Sequence, residues 1–231
     1  MTIRVATYNL HGLRDSVPAL ARVIAAARAD VVCVQEAPRF VRWRARRAAL
    51  AAASGLTVAT PGRAGGLAVL AGRRVRVLHA AAHPLRAFLG LERRALAVAV
   101  VQAEGARLAV GSFHLDLNGP ARMHHAAEAM ELIEGVAARY DAAIVLGGDV
   151  NERPHQPAWR YLAGRLTDCY AAAPKGDGLT FPAARPSGRI DGVFAARGTP
   201  VASCGGVDAP IADLAGASDH LPVVAELRVG H

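Results

Sequence analysis

The stretch Gly147-Gly148-Asp149-Val150-Asn151 follows directly on the apolar run 142–146. Periodicity alone does not distinguish a buried strand of this length from a buried helical segment. The two glycines and the polar residues after them favour a strand that ends in a loop bearing a site. Asp149 and Asn151 then place a carboxylate and a carboxamide two positions apart at a strand end, a combination that suggests a site for a cation and a charged oxygen.

Apolar segments separated by turn residues continue along the chain in both directions. Further strands are predicted at residues 5–10, 31–35, 56–60, 66–71, 75–81, 95–102, 107–113, 189–195 and 221–229. Helices are predicted at residues 19–29, 38–53, 120–140 and 157–163. Strands mostly in hairpins, with long helices between a few of them, indicate packed sheets covered by helices. Since no linker or repeat divides the sequence, a single domain is expected over residues 1–231.

The composition indicates a globular protein with a sizeable core and a basic surface. Hydrophobic residues make up 52% of the chain, and the formal net charge is +8 with a pI near 10.4. This charge favours polyanionic partners such as nucleic acid. An equally good explanation is the compositional drift of a GC-rich genome, since alanine is abundant and Lys175 is the sole lysine.

The sequence predicts neither a membrane span nor export. It has no uncharged apolar run of about 18 residues, and its amino terminus passes straight into a strand-like pattern. The cysteines Cys33, Cys169 and Cys204 are too far apart for a metal-binding spacing and too few for a disulfide framework. A cytoplasmic protein is therefore expected, with its cysteines in the core.

Polar side chains follow or precede the predicted strands at six places, each able to bind a metal or a phosphate. These are Asn9, Glu36, His114, Asp149 with Asn151, Asp191, and the pair Asp219-His220 just before the last strand. Polar groups at the ends of several strands converge on one edge of a sheet, which is where active sites form.

These positions, in this order, resemble the endonuclease/exonuclease/phosphatase superfamily of metal-dependent phosphoesterases, which includes DNase I-like nucleases, abasic endonucleases, sphingomyelinases and inositol-polyphosphate 5-phosphatases. The resemblance covers nearly the whole chain, from Asn9 to His220. Each motif alone is weak, whereas six in the family's order are specific. The resemblance implies an α/β (α+β) fold that is a four-layered sandwich, with two facing, mainly antiparallel sheets flanked by helices.

The resemblance also implies a bound metal ion. Glu36 corresponds to the family's main metal ligand, Asn9 to the amide that completes the metal environment, and Asp219 to a neighbour on the metal side. A hard cation such as Mg²⁺ or Mn²⁺ prefers carboxylate, carbonyl and water oxygens, and these residues offer such ligands. Mg²⁺ or Mn²⁺ is therefore the expected cofactor.

Catalytic roles follow from the same resemblance. Asp149 corresponds to the carboxylate that positions or deprotonates the attacking water, and Asn151 to a donor for the non-bridging phosphate oxygens. His220, held by Asp191, either binds the phosphate as a cation or acts as a general acid or base. His114 stands where abasic endonucleases carry an Asn- and Tyr-containing segment, and it looks more like a second phosphate-contacting histidine of the DNase I, sphingomyelinase and phosphatase branches.

Several other polar residues have less specific interpretations. His11 is as compatible with a solvated loop as with a site role, and Arg93 and Arg94 are expected to be solvated charges at a strand edge. His124 and His125, at the start of the long helix, are expected on the surface.

The predicted function is a Mg²⁺- or Mn²⁺-dependent phosphoester hydrolase, foremost a phosphodiesterase or nuclease that acts as a monomer on a phosphoester substrate such as nucleic acid. A phosphomonoesterase acting on a small or lipid-linked phosphate is the alternative. A catalytically dead binding module is disfavoured because Glu36, Asp149 and His220 are all present. A nuclease is expected to have an open, basic cleft, and a small-substrate enzyme a walled pocket.

Overall fold

Thirteen strands and six α-helices are formed by the part of the chain that this computed structural model describes, residues 1–230. Residue 231, the last of the predicted domain, lies outside the described residues. The strands are β1 (Thr2–Asn9), β2 (Val31–Gln35), β3 (Thr57–Val58), β4 (Ala68–Ala71), β5 (Arg76–Pro84), β6 (Ala95–Ala103), β7 (Ala106–His114), β8 (Ala143–Asp149), β9 (Thr167–Asp168), β10 (Pro174–Lys175), β11 (Asp191–Ala195), β12 (Val201–Gly205) and β13 (Val223–Arg228). The helices are α1 (Val17–Ala26), α2 (Trp43–Ala53), α3 (Gly119–Tyr140), α4 (Pro157–Arg165), α5 (Cys169–Ala172) and α6 (Ile211–Ala217).

The strands form two mixed sheets. A seven-stranded sheet has the order β10-β12-β13-β1-β2-β4-β3, and a six-stranded sheet has the order β5-β6-β7-β8-β11-β9. Only the pairs β1–β2, β7–β8 and β10–β12 are parallel among the pairings of the described strands. The predicted fold class, two mainly antiparallel sheets flanked by helices, is confirmed.

Three hydrophobic cores separate four layers. The core between the sheets joins Val5 of β1 and Val31 of β2 to Val110 of β7 and Val145 of β8, all fully buried. A second core packs α1 and α2 on the seven-stranded sheet, and a third packs α3 and α4 on the six-stranded sheet. Removal of this apolar surface from water is the main stabilising contribution to such an arrangement. The strand ends lie outside these cores, and polar side chains meet there.

The two glycines of β8 are required by close packing on both faces of the strand. A Cβ atom on Gly147 would lie 3.0 Å from Cys33 Sγ, across the core between the sheets. A Cβ atom on Gly148 would lie 2.3 Å from the carbonyl oxygen of Phe113 on β7. Side chains alternate between the two faces of a strand, so the glycines leave room on each face in turn. Strand β8 can therefore run between β7 and β11 as far as its last residue, Asp149.

Some predicted boundaries were wrong. β8 continues to Asp149 rather than ending at residue 146, since its glycines remain paired with β7 and β11. Helix α2 begins at Trp43 rather than residue 38, because Arg42 adopts a left-handed conformation with φ of 53°. Strand β12 and helix α6 were not predicted, since the former lacks apolar alternation and the latter is short. No helix within residues 1–230 is both long and apolar enough to cross a bilayer.

Candidate active site

The topology brings all eight predicted site residues to one end of the two sheets. Asn9, His114 and Asp149 end strands β1, β7 and β8, and Glu36 follows β2. Strand β11 is antiparallel to β8, with Asp191 directly opposite Asp149, and β13 is antiparallel to β1. The beginnings of β11 and β13 therefore lie beside the ends of β8 and β1, which brings Asp191, Asp219 and His220 to the same edge. Asn151 follows the end of β8 at this edge.

Asp149 lies at the centre of the cluster. Its Oδ2 atom lies 3.1 Å from Asn9 Nδ2, 3.4 Å from His114 Nε2 and 3.7 Å from His220 Nε2. Its Oδ1 atom accepts a hydrogen bond of 2.9 Å from the backbone N–H of Asn151. The side chain is almost completely buried. Three segments distant in sequence, together with the following residue Asn151, thus direct polar groups at one carboxylate.

The electrostatic surroundings of Asp149 favour its protonated form more than water does. Burial raises the pKa of its carboxyl, and the negative charge of Asp191 raises that pKa further. His114, His220 and the Asn151 N–H act in the opposite direction. A buried carboxyl with a raised pKa is suited to accept a proton near neutral pH.

His220 is held by Asp191. Its Nδ1 atom lies 2.9 Å from Asp191 Oδ2, and its ring packs against Phe181 with 4.8 Å between ring centroids. Burial disfavours the charged imidazole, but the negative charge of Asp191, the hydrogen bond to it, and the charges of Asp149 and Asp219 together raise the pKa of His220 to about 9. His220 is therefore a cation at neutral pH, with Nε2 directed towards Asp149.

His114 differs from His220 in its charge. Burial lowers the pKa of its imidazole to about 4, although the nearby carboxylate of Asp149 acts in the opposite direction. His114 is therefore neutral at neutral pH. Its contact with a phosphate stays a prediction, and in this state the ring would serve as a hydrogen-bonding group rather than as a charge.

Asn9 links the two carboxylates at the site. Its Nδ2 atom donates to Asp149 Oδ2 at 3.1 Å and to Glu36 Oε1 at 3.2 Å, while its Oδ1 atom accepts from the N–H of His11 at 3.0 Å. The Ser218 hydroxyl donates to the Asn9 carbonyl oxygen at 2.7 Å and fixes the backbone there. In this orientation Asn9 offers hydrogens to the site, so its role as a metal ligand stays a prediction that requires the amide to turn.

The donor set around Glu36 fits a hard divalent cation. Its half-buried carboxylate lines the cleft beside Asp149, and no cationic side chain within residues 1–230 lies within salt-bridge distance of it. Asp219 is partly exposed at the same edge, with Oδ2 3.8 Å from His11 Nε2. Glu36 without a cationic partner among the residues described, with the partly exposed carboxylate of Asp219 at the same edge, suits Mg²⁺ or Mn²⁺.

A second group could also hold a metal ion. Single ligand atoms of Asp149, Asp191 and His220 all lie within 4.8 Å of one another. However, His220 Nδ1 is hydrogen-bonded to Asp191, so a metal there would have to bind Nε2 and displace the proton that the charged ring carries. A metal between Glu36 and Asp149 would instead require the Asn9 amide, which donates to both carboxylates, to turn. Glu36, Asn9 and Asp219 therefore stay the predicted metal residues.

Asn151 occupies a constrained position beside Asp149. Its backbone is left-handed, with φ of 54°, and its Nδ2 atom donates to the carbonyl oxygen of Leu115 at 3.0 Å. One amide hydrogen and the amide oxygen remain for a ligand. Its predicted hydrogen bond to a phosphate oxygen is compatible with this placement and stays a prediction.

An open cleft of about 460 Å³ extends from His114 and Glu36 along the surface. Among the residues that line it are Arg14, Arg39, Arg46, Glu92 and Arg94. None of these was predicted from the sequence as a catalytic or metal-binding residue.

The expectation that Arg94 is solvated was wrong. Its side chain is buried, 3.7 Å from Asp116 Oδ2 and 3.6 Å from Glu92 Oε2. The predicted hairpin contained the signal, since its register pairs Leu96 with Phe113 and so brings residue 94 towards the loop after His114. His125, expected on the surface, is also buried, with Nε2 2.9 Å from the Arg86 carbonyl oxygen.

Two further interactions, also missed, support the site from behind. The Thr180 hydroxyl accepts from the N–H groups of Ile190 and Asp191 and so fixes the start of β11. Arg122 donates to Glu152 Oε1 at 2.8 Å and to the Asp116 carbonyl oxygen at 2.9 Å, which ties helix α3 to the loops after β7 and β8. These groups fix the position of the loops that carry the predicted site residues and do not face a ligand.

Comparisons with known proteins agree with this architecture. The fold resembles that of an endonuclease/exonuclease/phosphatase from Bacteroides vulgatus at 20% identity, with 100% of both chains covered and a TM-score of 0.82. A mannosyl-6-phosphatase from Bacteroides thetaiotaomicron is 18% identical over 98% of this chain and 100% of its own, with a TM-score of 0.82. Truncated TDP2 from Caenorhabditis elegans is 17% identical over 99% of this chain and 98% of its own, with a TM-score of 0.75.

At these identities the likeness shows the fold alone. No curated protein matches the sequence. The sequence does match the family model of the Endonuclease/Exonuclease/phosphatase family over residues 6–220, a range that includes every predicted site residue. The chain therefore belongs to the Endonuclease/Exonuclease/phosphatase family.

Proposed function

We propose that this chain is a phosphodiesterase that depends on Mg²⁺ or Mn²⁺. The observation that carries the proposal is the convergence on Asp149, whose Oδ2 atom lies within 3.1–3.7 Å of Asn9, His114 and His220. The half-buried Glu36 stands on the other side of Asn9 without a cationic partner among the described residues. This arrangement combines a proton acceptor, a cation and a carboxylate free to bind metal.

The chain's own residues supply the proton transfers. Asp149 accepts a proton from the attacking water, a step that its raised pKa favours. His220 is protonated at neutral pH and can donate its Nε2 proton to the leaving oxygen while Asp191 holds Nδ1. Asn151 and neutral His114 donate hydrogen bonds to the phosphoryl oxygens. When bound beside Glu36, the divalent cation supplies positive charge against the negative charge that develops on those oxygens.

The shape of the cleft favours a diester over a monoester. A diester has substituents on both sides of phosphorus, and the cleft continues from His114 past exposed Arg14 and Arg46. A monoester leaves most of this length empty. The cleft is open and basic, which is the feature expected of a phosphodiesterase rather than of a walled small-substrate pocket.

The proposal is tested by the hydrolysis of bis-p-nitrophenyl phosphate and p-nitrophenyl phosphate with Mg²⁺ or Mn²⁺. The wild type is expected to cleave the diester with a kcat/KM about tenfold or more above that for the monoester. His220→Ala is expected to lower kcat by about 10²- to 10⁴-fold. His79→Ala, which changes a half-buried histidine on the edge strand β5, is the matched control and should retain full activity.

A preference for the monoester would replace the proposal with the phosphomonoesterase alternative. Equal residual rates for wild type and His220→Ala on both compounds would refute catalysis at this site.

A further inference from the structure

Most of the large, highly exposed hydrophobic side chains lie on loops that adjoin residues of the cleft. Within residues 1–230, five are more than 70% exposed. They are Phe40 at 72%, Val41 at 81%, Leu89 at 106%, Leu117 at 76% and Ile211 at 84%. The first four lie on three loops, which follow β2, join β5 to β6, and join β7 to α3. We call the exposed side chains Phe40, Val41, Leu89 and Leu117 the rim.

The three loops are joined to one another by a chain of ion pairs. Arg39, next to Phe40, pairs with Glu92 on the β5–β6 loop. Glu92 lies 3.6 Å from Arg94, and Arg94 lies 3.7 Å from Asp116, next to Leu117. Arg39, Phe40, Glu92 and Arg94 also line the cleft. The rim therefore borders the cleft that leads to Asp149, on loops held in fixed positions.

Unpaired positive charge accompanies the rim. Arg14 and Arg46 line the cleft, and Arg42 and Arg93 lie on or beside the rim loops. All four are exposed, and none lies within 4.0 Å of an acidic group in the described part of the chain. A surface that combines exposed apolar side chains with unpaired arginines is complementary to an anionic lipid surface, where each arginine near the headgroups contributes about 1 kcal/mol.

We propose that the rim docks on an anionic lipid bilayer and brings phospholipid headgroups to the cleft. Three of its four side chains are aliphatic, and aliphatic side chains partition into the interface between headgroups and acyl chains. Recognition of unpaired bases depends instead on aromatic stacking, for which the rim offers Phe40 alone. Docking is independent of catalysis, whereas cleavage of a headgroup phosphodiester at Asp149 rests on the proposed function.

The fifth exposed side chain provides a matched control. Ile211 begins helix α6, which packs against α1, and it is as exposed as the rim residues. Replacement of Ile211, Leu89 or Leu117 by serine removes a similar apolar surface from an exposed position. None of these substitutions affects a buried contact, so all three variants are expected to fold.

The experiment measures co-sedimentation of the protein with vesicles of phosphatidylcholine, with and without about one third phosphatidylglycerol. The wild type is expected to bind the anionic vesicles and to bind them less as salt is raised. Leu89→Ser and Leu117→Ser should each lower the partition coefficient roughly tenfold, because the removed side chain no longer enters the bilayer. Ile211→Ser should stay within about twofold of the wild type.

Two results would overturn docking on lipid. One is an equal loss of vesicle binding in Ile211→Ser and the rim variants, which would indicate nonspecific hydrophobic adsorption. The other is weaker binding of a single-stranded oligonucleotide by the rim variants, measured by fluorescence anisotropy, while their vesicle partition is unchanged. That result would show that the rim binds nucleic acid.

Failure of docking and failure of the proposed function are distinguishable. Vesicle binding by a protein that does not hydrolyse bis-p-nitrophenyl phosphate would support docking and contradict the phosphodiesterase. Hydrolysis of that diester without rim-dependent vesicle binding would support the phosphodiesterase and contradict docking.

Discussion

His220 Nδ1 lies 2.9 Å from Asp191 Oδ2, while Nε2 of the same ring lies 3.7 Å from Asp149 Oδ2. One imidazole is thus held on one side by a carboxylate that orients it and favours its charged form, and on the other side it faces the carboxylate at the centre of the site. Because β11 pairs with β8 so that Asp191 is opposite Asp149, the sheet itself sets this geometry. The proposed division into a positioning residue and two catalytic residues depends on it.

Asp191→Asn is expected to lower kcat by about 10²- to 10⁴-fold, because the amide cannot stabilise a charged imidazole. Asp191 acts through His220, so the double variant Asp191→Asn/His220→Ala should be scarcely worse than His220→Ala alone. The measurement is kcat on bis-p-nitrophenyl phosphate across pH, and the descending limb of the profile should move to lower pH in Asp191→Asn. Additive losses in the double variant would contradict a role through His220. The conservative change Asp177→Asn, at an exposed acid outside the cluster, is the control.

Stability is expected to depend on pH through His220. Its pKa in the folded protein is raised from 6.5 to about 9, so its charged form stabilises the fold fully below pH 6.5, and this contribution is lost as pH rises through 9. The shift corresponds to about 3 kcal/mol. Urea unfolding without metal should therefore show a larger stability difference between wild type and His220→Gln at pH 6 than at pH 10. A difference independent of pH would contradict the charged pair.

Arg122→Met is expected to lower the free energy of unfolding by about 3–5 kcal/mol, because it leaves the buried carboxylate of Glu152 without its cation. The Asp116 carbonyl oxygen loses a donor at the same time. The control is Arg139→Met on the exposed face of the same helix, expected within about 0.5 kcal/mol of the wild type. The free energy of unfolding is measured with urea. A loss for Arg122→Met as small as that for Arg139→Met would show that the Arg122–Glu152 ion pair does not stabilise the fold.

Gly148→Ala is expected to destabilise the fold by about 1–3 kcal/mol or more, because the added Cβ would meet the Phe113 backbone oxygen at 2.3 Å. Activity should fall further than stability, since Asp149 is the next residue. Gly164→Ala in α4, where a Cβ meets nothing within 4 Å, should be neutral or stabilising by up to about 1 kcal/mol. Thermal unfolding of the two variants gives the comparison, and equal melting temperatures would contradict the packing argument.

Much of the fold could be predicted because most strands are apolar runs bounded by turn residues. Strands β1, β2, β6 and β7 follow that rule and appear near their predicted positions. Helix α3, predicted from the helical spacing of its apolar residues, also does. β12 and α6 do not follow it. Val201–Gly205 carries serine and glycine, and its strand conformation depends on pairing with β13, a contact distant in sequence.

The candidate site was predicted as a set of residue types at strand ends, and the structure does bring those residues to one edge. What could not be predicted was the state of each group. His114 and His220 are the same residue type, yet burial leaves one neutral while Asp191 keeps the other charged. The orientation of the Asn9 amide likewise depends on the His11 N–H. Arg94 was misjudged because its partner Asp116 lies on another loop.

Glu36 and the Asp149 cluster are proposed to form one metal-dependent hydrolytic site. The most direct test is the rate of bis-p-nitrophenyl phosphate hydrolysis as a function of Mn²⁺ concentration for the wild type, Glu36→Gln and Glu92→Gln. Glu92 lines the same cleft, but its charge is paired with Arg39 and Arg94. We predict that Glu36→Gln needs about 10- to 100-fold more Mn²⁺ for half-maximal rate, while Glu92→Gln keeps the wild-type requirement. Metal-independent hydrolysis by the wild type, or the same Mn²⁺ requirement in Glu36→Gln, would show that Glu36 does not hold a catalytic metal ion.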